Sequence, residues 1–289
     1  MIFLLPYQQM ISNKSGLSDF NKETDSWKTI FPDSDLLFFK DGRTAITYLL
    51  HELAFTRKDE ITILTTTDSS FVSSCVTCNL FNFSRLSREI SPDTKMIFVI
   101  HEFGFPYKKI EAIAKIAKKM GIPLVEDVAH SFDSYVNGKK IGTFGDYSIS
   151  SLPKSFPMKN GGILKGKGLS AKNPFFSKEI HGQISKESQF YLPYLKSFTN
   201  RRTANYNFLS DFFSQYKRIF DLKGRINPFV FGFSTSESEV IYSTLNKKNP
   251  GIELHPCYVK DWVVLPVNQF ITEPQLILMA KNVLSLIER

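Results

Sequence analysis

Short apolar segments alternate with longer amphipathic segments over the first half of the chain. The apolar segments are rich in aliphatic, β-branched or aromatic side chains, which is typical of buried strands; they cover residues 36–39, 61–64, 96–100 and 122–125. After Gly42, apolar residues recur every three or four positions, and residues 110–120 repeat this spacing with lysines on the opposite side. Strands that alternate with helices indicate crossover connections, so the pattern predicts an α/β fold with a mainly parallel sheet flanked by helices.

Polar or glycine-containing turns follow these strands, at Gly42, Thr65–Ser70, His101 and Asp127. Ligands of parallel sheets bind beyond the carboxyl ends of the strands. We therefore expect a functional site where these turns meet. Gly42 also opens a helix directly after a strand, and the free N–H groups there could hold a phosphate, although an ordinary strand–turn–helix has the same pattern.

The second half of the chain has less regular patterns. Residues 170–200 are polar and aromatic, and we interpret them as a linker that leaves the large domain. A long helix is predicted from Thr203 to Phe220, and a strand from Phe229 to Phe233. These features divide the 289 residues into a large α/β domain, 1–195, and a small C-terminal α+β domain, 196–289.

The net charge of +8 and the isoelectric point near 9.2 raise the question of a nucleic-acid or membrane partner. The lysines are dispersed and form no basic stripe, so we interpret them as a solvated surface and expect neither partner. No apolar run reaches the ~20 residues of a membrane span, and the first residues lack the basic leader of a signal peptide. These features predict a cytoplasmic protein.

The three cysteines, Cys75, Cys78 and Cys257, are too few for a disulfide framework. Cys75 and Cys78 form a C-x-x-C pair on a helix predicted over residues 71–78. Because no second pair or suitably spaced histidine completes a zinc site, we predict no metal. The pair is interpreted as reduced thiols on a buried helix face.

The most informative run is 124–164, LVEDVAHSFDSYVNGKKIGTFGDYSISSLPKSFPMKNGGIL. It begins with an apolar strand that ends in Asp127 and continues to Ser151, Lys154 and the Gly161-Gly162 turn. A carboxylate, a serine and a lysine in this order could bind pyridoxal 5'-phosphate (PLP). The lysine amine would form a Schiff base, and the carboxylate would pair with the pyridinium nitrogen.

This run resembles the DegT family of PLP-dependent nucleotide-sugar aminotransferases. The matching pieces are E-D-V-A-H from Glu126, the G-x-x-x-G-x-x-G-D stretch that starts at Gly138, and a serine shortly before Lys154, with Gly-Gly seven residues on. The resemblance implies the aspartate aminotransferase fold (fold type I) and PLP as cofactor. It also implies an amino-acid donor, a nucleotide-linked keto-sugar as acceptor and a homodimer.

The resemblance also implies roles for individual residues. Lys154 is the catalytic lysine and Asp127 the partner of the ring nitrogen. The candidates for binding the cofactor phosphate are Gly42, Arg43, Thr44 and Ser151, with Ser148, Ser150 and Ser155 as competitors for the serine. Phe71 is the candidate for stacking on the ring, with ordinary core packing as the alternative. His130 is expected against the phenolic oxygen, with a buried structural histidine as the alternative, and Glu126 is interpreted as structural.

The function predicted from this resemblance is amino-sugar formation for surface polysaccharide such as O-antigen, with glutamate as donor. Two alternatives stay open. A sugar dehydratase of the same family would have histidine at the position of Lys154. A non-catalytic relative that keeps the fold is suggested by a short C-terminal half, in which we find no Asn-x-Arg-Met-like stretch, and by Lys159-Asn160 before the Gly-Gly turn.

Overall fold

The computed structural model describes residues 14–23, 26–69, 72–130, 132–248 and 261–287. The strands are β1 (Asp35–Phe39), β2 (Glu60–Thr65), β3 (Arg85–Ser87), β4 (Thr94–Ile100), β5 (Leu124–Asp127), β6 (Tyr135–Val136), β7 (Lys139–Lys140), β8 (Tyr147–Ser151), β9 (Gly162–Gly166), β10 (Lys217–Arg218), β11 (Val230–Ser234) and β12 (Trp262–Pro266). The α-helices are α1 (Trp27–Ile30), α2 (Gly42–Glu52), α3 (Ser74–Phe83), α4 (Ile110–Met120), α5 (Lys178–Tyr191), α6 (Leu195–Phe212), α7 (Ser238–Lys248) and α8 (Glu273–Ile287). Short 3₁₀ turns cover Lys14–Asp19, Glu102–Gly104, Leu152–Lys154 and Leu192–Tyr194.

The central sheet has the strand order β1-β9-β8-β5-β4-β2-β3. Strands β8, β5, β4, β2 and β3 are parallel neighbours, whereas β9 runs antiparallel to both β1 and β8. The predicted, mainly parallel sheet is therefore confirmed. The carboxyl ends of β1, β2, β4, β5 and β8 meet at one edge, because β9 alone reverses direction between β1 and β8.

Helices cover both faces of this sheet. On β4, Met96, Phe98 and Ile100 pack with residues of α2 and α3, whereas Ile97 and Val99 pack with residues of α4. This division follows from the period of two along a strand, which sends successive side chains to opposite faces. Nearly every residue of β4 is buried, as expected for a strand covered on both sides.

The interpretation of residues 170–200 as a linker is wrong. Helix α5 lies within this range, and α6 begins in it. Ile184, Ser188 and Tyr191 are the buried residues of α5, and His181 Nδ1 accepts a hydrogen bond from the Phe38 N–H of β1 at 3.2 Å. The buried stripe is narrow, and the polar residues between its members concealed the amphipathic spacing.

The long helix predicted from Thr203 to Phe220 is also displaced. Helix α6 ends at Phe212, after which the chain turns and adds β10 to the edge of a second sheet. Its first turns belong to the core beside β1, through Leu195 and Phe198, and its later turns belong to a second core, through Tyr206 and Leu209.

That second core lies under the antiparallel sheet β10-β11-β12. It combines β11 and β12 with α6, α7 and α8, and it includes Phe105 from the first half of the chain. The predicted α+β character of the C-terminal part is therefore present. The boundary at residues 195/196 remains a proposal.

Helix α3 begins at Ser74 instead of residue 71, with Ser73 as its N-cap. Its buried residues are Val76 and Leu80, which are four positions apart and define the face toward the sheet. Cys75 and Cys78 lie off this stripe and are exposed, so their predicted burial is wrong. Cys257 lies outside the described residues.

Candidate active site

A cavity of about 750 Å³ opens at the carboxyl edge of the central sheet. Its walls come from the turns after β1, β4, β5 and β8, from the first turn of α3, and from Phe229 of the C-terminal part. The residues relevant to the site are Lys40, Asp41, Gly42, Arg43, Val72, Ser73, Cys75, Glu102, Phe103, Asp127, His130, Ser151, Lys154, Lys159, Gly161 and Phe229. The predicted position of the site is thus occupied by a cavity of a size common for small-molecule sites.

Lys154 ends the 3₁₀ turn that follows β8. Pro153 fixes the backbone within this turn, and the neighbouring Leu152, Ser155 and Phe156 are buried, so the turn is anchored in the core. Burial lowers the pKa of the Lys154 ammonium below its ordinary value, while the charge of Asp127 partly opposes this effect. A larger fraction of the amine is therefore neutral and nucleophilic than on an exposed lysine.

Asp127 is the last residue of β5 and is buried. Its Oδ1 accepts a hydrogen bond from the Ala129 N–H at 2.9 Å. Burial raises the pKa of Asp127, whereas the charge of Lys154, the Ala129 N–H and His101 lower it in part. A buried carboxylate with few protein donors is suited to pair with a cationic group of a ligand.

His130 is held between two aromatic rings. Its centroid lies 5.8 Å from that of Phe103 and 4.7 Å from that of Phe229, and both pairs are stacked. The Phe103 N–H donates to His130 Nδ1 at 2.9 Å. Burial and the charges of Lys154 and Arg202 hold the pKa of His130 well below its ordinary value. The ring is therefore neutral, with its proton on Nε2, because Nδ1 acts as an acceptor.

The N-terminus of α2 supplies the polar end of the cavity. Asp41 caps the helix, and its Oδ1 accepts from both the Thr44 N–H at 2.8 Å and the Thr44 hydroxyl at 3.0 Å. Gly42 and Arg43 line the cavity, but Thr44 does not. The structure thus brings two of the three predicted phosphate-binding residues of this turn to the site.

The Gly-Gly turn is in very close contact with this helix start. A Cβ atom on Gly162 would lie 2.3 Å from the carbonyl carbon of Asp41 and 2.6 Å from the backbone nitrogen of Gly42. The Gly161 N–H also donates to the Lys40 carbonyl at 2.7 Å. Glycine at position 162 is therefore required for β9 to run beside the start of α2.

Among the candidate serines, Ser151 lines the cavity. Ser148, Ser150 and Ser155 are buried and do not line it. Phe71, the predicted stacking residue, lies outside the described residues, although Val72 and Ser73 directly after it form part of the wall.

The glycine-rich part of the sequence motif folds around Glu126, not around the cavity. Glu126 accepts hydrogen bonds from the N–H groups of Gly142, Phe144 and Gly145 at 2.7–2.8 Å. His101 Nε2 lies 3.1 Å from Glu126 Oε2, which also accepts from Gly142, and His101 Nδ1 accepts from the Tyr107 N–H. Burial would raise the pKa of Glu126, but His101 and the N–H donors outweigh burial and lower it.

Glu126 therefore has the structural role predicted for it. Gly145 supports the same arrangement, because a Cβ atom there would lie 2.5 Å from the Leu124 carbonyl oxygen.

Several residues of the site were not predicted from the sequence. Phe103 and Phe229 enclose His130, Glu102 lines the cavity, and Arg202 and Gln269 contact the turn that carries Lys154. Glu102 follows β4 directly, and that position was the available signal for it. The other four carry no local pattern that distinguishes them from core residues.

None of the helices in the described part of the chain combines the length and the hydropathy needed to span a bilayer. No group of three or more His, Cys, Asp or Glu residues in that part is arranged as a possible metal site.

Several solved structures share this architecture. The chain superimposes on Helicobacter pylori PseC, an aminotransferase involved in the biosynthesis of pseudoaminic acid, with a TM-score of 0.73 and 15% identity, covering 98% of this chain and 96% of that one. DesV of S. venezuelae, solved in complex with a ketimine intermediate, gives a TM-score of 0.68 at 15% identity, covering 99% and 91%. The chain therefore has the fold of the fold type I PLP-dependent transferases.

The family model described as the DegT/DnrJ/EryC1/StrS aminotransferase family matches residues 42–174. A GDP-perosamine synthase of Vibrio cholerae is 27% identical over 155 residues, which are 46% of this chain and 42% of that protein. A UDP-4-amino-4,6-dideoxy-N-acetyl-beta-L-altrosamine transaminase of Campylobacter jejuni is 32% identical over 101 residues, 33% and 26% of the two chains.

Residues 42–174 thus match the DegT/DnrJ/EryC1/StrS aminotransferase family, in agreement with the resemblance seen in the sequence. The matches of the chain span less than half the length of these curated relatives.

Proposed function

We propose that this chain is a PLP-dependent aminotransferase that converts a nucleotide-linked keto-sugar into an amino sugar. One observation carries the proposal: Lys154, Asp127 and the N-terminus of α2 line the same cavity. An amine, a buried carboxylate and a set of free backbone N–H groups are the three kinds of group that PLP requires of a protein.

The residues present fit this cofactor. The cavity volume of about 750 Å³ is within the usual range for cofactor sites. Gly162 lets β9 run against the first turn of α2, and Gly42 and Arg43 of that turn line the cavity where a phosphate would bind. Lys154 and Asp127 both line this cavity, and each charge shifts the pKa of the other group.

Each residue has a distinct proposed role. Asp127 would hold the ring nitrogen in its protonated form, and the His130 Nε2–H would donate to the phenolic oxygen. Gly42, Arg43 and Ser151 would bind the phosphate. When bound, PLP supplies an electron sink for the electron pair that remains after a proton leaves the substrate carbon.

Lys154 would act twice, as the covalent anchor and as the proton carrier. The lowered pKa of its ammonium leaves a larger fraction of neutral amine at a given pH than an exposed lysine has. Once its amine is released by the donor substrate, Lys154 can take a proton from one carbon and return it at a neighbouring position. Stacking by Phe71 remains a prediction.

The proposed acceptor is anionic. Lys40, Arg43 and Lys159 line the cavity together, and a diphosphate group would find cations there. The names of the two relatives refer to GDP- and UDP-linked sugars. Glutamate as donor, surface polysaccharide such as O-antigen as destination, a cytoplasmic location and a homodimer complete the proposal and rest on the family resemblance.

A non-catalytic relative that keeps the fold is the second candidate. The observation that favours it is the short span of the matches to the curated relatives. A sugar dehydratase is disfavoured by Lys154, which stands where that branch of the family has histidine.

Cofactor attachment distinguishes these candidates. We expect the purified chain to acquire a visible absorption band with PLP, and borohydride reduction to attach the cofactor to Lys154, as located by peptide mass spectrometry. Lys154→Ala should abolish the attachment, whereas Lys118→Ala, at an exposed position of α4, should not change it. Attachment at random surface lysines, equal in wild type and Lys154→Ala, would contradict the proposal.

Substrate class is tested separately. The loaded protein should lose the visible band with the amino donor and regain it with a nucleotide-linked keto-sugar. We expect glutamate to be more effective than alanine as the donor. Attachment of PLP without either spectral change would support the non-catalytic candidate.

A further inference from the structure

Arg202 is a buried arginine in the middle of α6, only 1% exposed. Its Nη2 donates to the carbonyl oxygen of Lys154 at 2.6 Å, and its Nε donates to Gln269 Oε1 at 2.7 Å. These two bonds connect α6 to the turn that carries the reactive lysine and to the segment before α8.

Gln269 completes the arrangement. It is also 1% exposed, and its Nε2 donates to the carbonyl oxygen of Ser155 at 3.1 Å. Two successive backbone carbonyls, those of residues 154 and 155, are therefore bound by two side chains that are bound to each other. Because a guanidinium group is planar and rigid, its two donors fix direction as well as distance.

The backbone bonds of the turn converge on one carbonyl. The N–H groups of Ser155 and Phe156 both donate to the Leu152 carbonyl. The turn is a single 3₁₀ turn, so its own hydrogen bonds restrain it weakly. The side chain of Lys154 starts from this backbone, and the orientation of the backbone decides where the amine lies.

The burial of Arg202 at this position is energetically unfavourable. Among the described residues, no carboxylate lies within ion-pair distance of its guanidinium, and its Nη1 is buried without a hydrogen-bond partner. Burial lowers the pKa of Arg202 to about 10. A buried cation without a counter-ion destabilises a fold, which is expected where a residue serves a site.

We propose that Arg202, supported by Gln269, is a positioning residue that holds the backbone of Lys154 so that its amine stays in the cavity. The inference rests on the proposed function, because it assumes that Lys154 is the reacting amine. It assigns a function in the site to the C-terminal half of the chain, which carries none of the recognisable motif.

The test is the rate at which the apo protein captures PLP at Lys154, followed by absorbance after mixing. Arg202→Met should slow capture on the order of 100-fold, the cost typical of misplacing a reacting group by about 1 Å. Arg202→Lys, which can still donate to the Lys154 carbonyl, should recover part of the rate. Arg201→Met is the matched control, because Arg201 is the exposed neighbour on the same helix, and it should leave the rate unchanged.

Melting temperatures separate positioning from folding. Capture is measured well below the melting temperature of every variant, so a folded Arg202→Met protein that captures PLP at the wild-type rate overturns the proposal. If Arg202→Met does not fold, Gln269→Met decides instead. It removes both the acceptor that orients the Arg202 guanidinium and the donor to the Ser155 carbonyl, so the proposal requires slower capture, and a wild-type capture rate would overturn it. Failure of the wild type to capture PLP at Lys154 would contradict the proposed function, not the positioning role.

Discussion

At the residue scale, burial and charge act in opposite directions on the Lys154 amine. Burial lowers its pKa, and the charges of Asp127 and Cys75 raise it in part. The same opposition applies to Asp127, whose pKa is raised by burial and lowered by Lys154. Each group therefore favours the charged form of the other, whereas burial disfavours the charged form of both.

This opposition predicts the pH dependence of Lys154 reactivity. Competitive acylation of the apo protein over a pH series should give a midpoint for Lys154 below the ordinary lysine value of about 10.4. Asp127→Asn removes a charge that raises the pKa of Lys154, so the midpoint should fall further. Asp93→Asn, at an exposed position, serves as the control. A midpoint that rises in Asp127→Asn would contradict the assigned direction.

His130 shows how much one residue depends on its neighbours. The sequence left open whether it contacts a cofactor or packs in the core. The structure gives it two aromatic neighbours, one backbone donor and a nearby buried cation, Arg202. These contacts come from three separate parts of the chain, so no local pattern around His130 could specify its protonation.

At the element scale, the start of α2 and the Gly161-Gly162 turn form one unit. Gly162 lets β9 pass so close to Asp41 that no side chain fits between them. The unit places the N-terminal N–H groups of α2 beside the segment that follows Lys154 in the chain. Both halves were visible in the sequence as separate signals, a glycine-led helix start and a Gly-Gly pair.

Gly162→Ala should destabilise this unit. Its Cβ would meet backbone atoms that cannot rotate away, and we expect a loss of about 1–3 kcal/mol in the free energy of unfolding, the usual cost of overpacking. Urea denaturation measures this loss.

Gly182→Ala is the matched control for that substitution. Gly182 lies on the exposed side of α5 with open space around it, and the change should stabilise the chain by about 0.5–1 kcal/mol. Equal stability of the two variants would contradict the close contact.

The loop from Gly138 to Asp146 is a second unit at this scale, organised by Glu126. Three backbone N–H groups and His101 surround its carboxylate. Asp146 closes the loop by accepting from the Leu124 N–H at 2.9 Å. The glycine-rich part of the motif therefore surrounds Glu126, whereas Asp127 and Lys154 line the cavity.

At the scale of the whole molecule, the described residues form two packed regions that share α6. The C-terminal region has an aromatic core in which Phe213 lies 4.6 Å from Phe233 and 6.0 Å from Phe231, ring centroid to ring centroid. Arg202 and Gln269 lie between this region and the Lys154 turn. The stability of the C-terminal core is thus connected to the geometry of the site.

Phe231→Ala should test this core. Phe231 is fully buried, and its truncation should lower the free energy of unfolding by about 3–5 kcal/mol. Phe190→Ala, at a side chain that is 55% exposed, should change it by no more than about 0.5 kcal/mol. Urea denaturation provides the measurement, and similar losses in both variants would contradict the described burial.

The sequence by itself determined the alternation of the main strands and helices in the first half, the edge of the sheet that carries the candidate site, and the presence of both Lys154 and Asp127 there. These properties are local, because hydrophobic period and motif spacing are encoded within a few neighbouring residues. Local patterns gave wrong predictions for two helices. The buried stripe of α5 is narrow and was not recognised, and the buried face of α3 consists of two residues and was placed on the wrong side.

Only the tertiary structure decided which side chains enclose His130 and which hold the turn that carries Lys154. Arg202 meets Lys154 across 48 positions, Arg202 meets Gln269 across 67, and Gln269 meets Ser155 across 114. A hydrogen bond depends on where folded backbones converge, and a single sequence does not state which distant residues will converge. The proposed lysine could therefore be predicted from the chain, whereas the hydrogen bonds that hold its backbone became visible only in the fold.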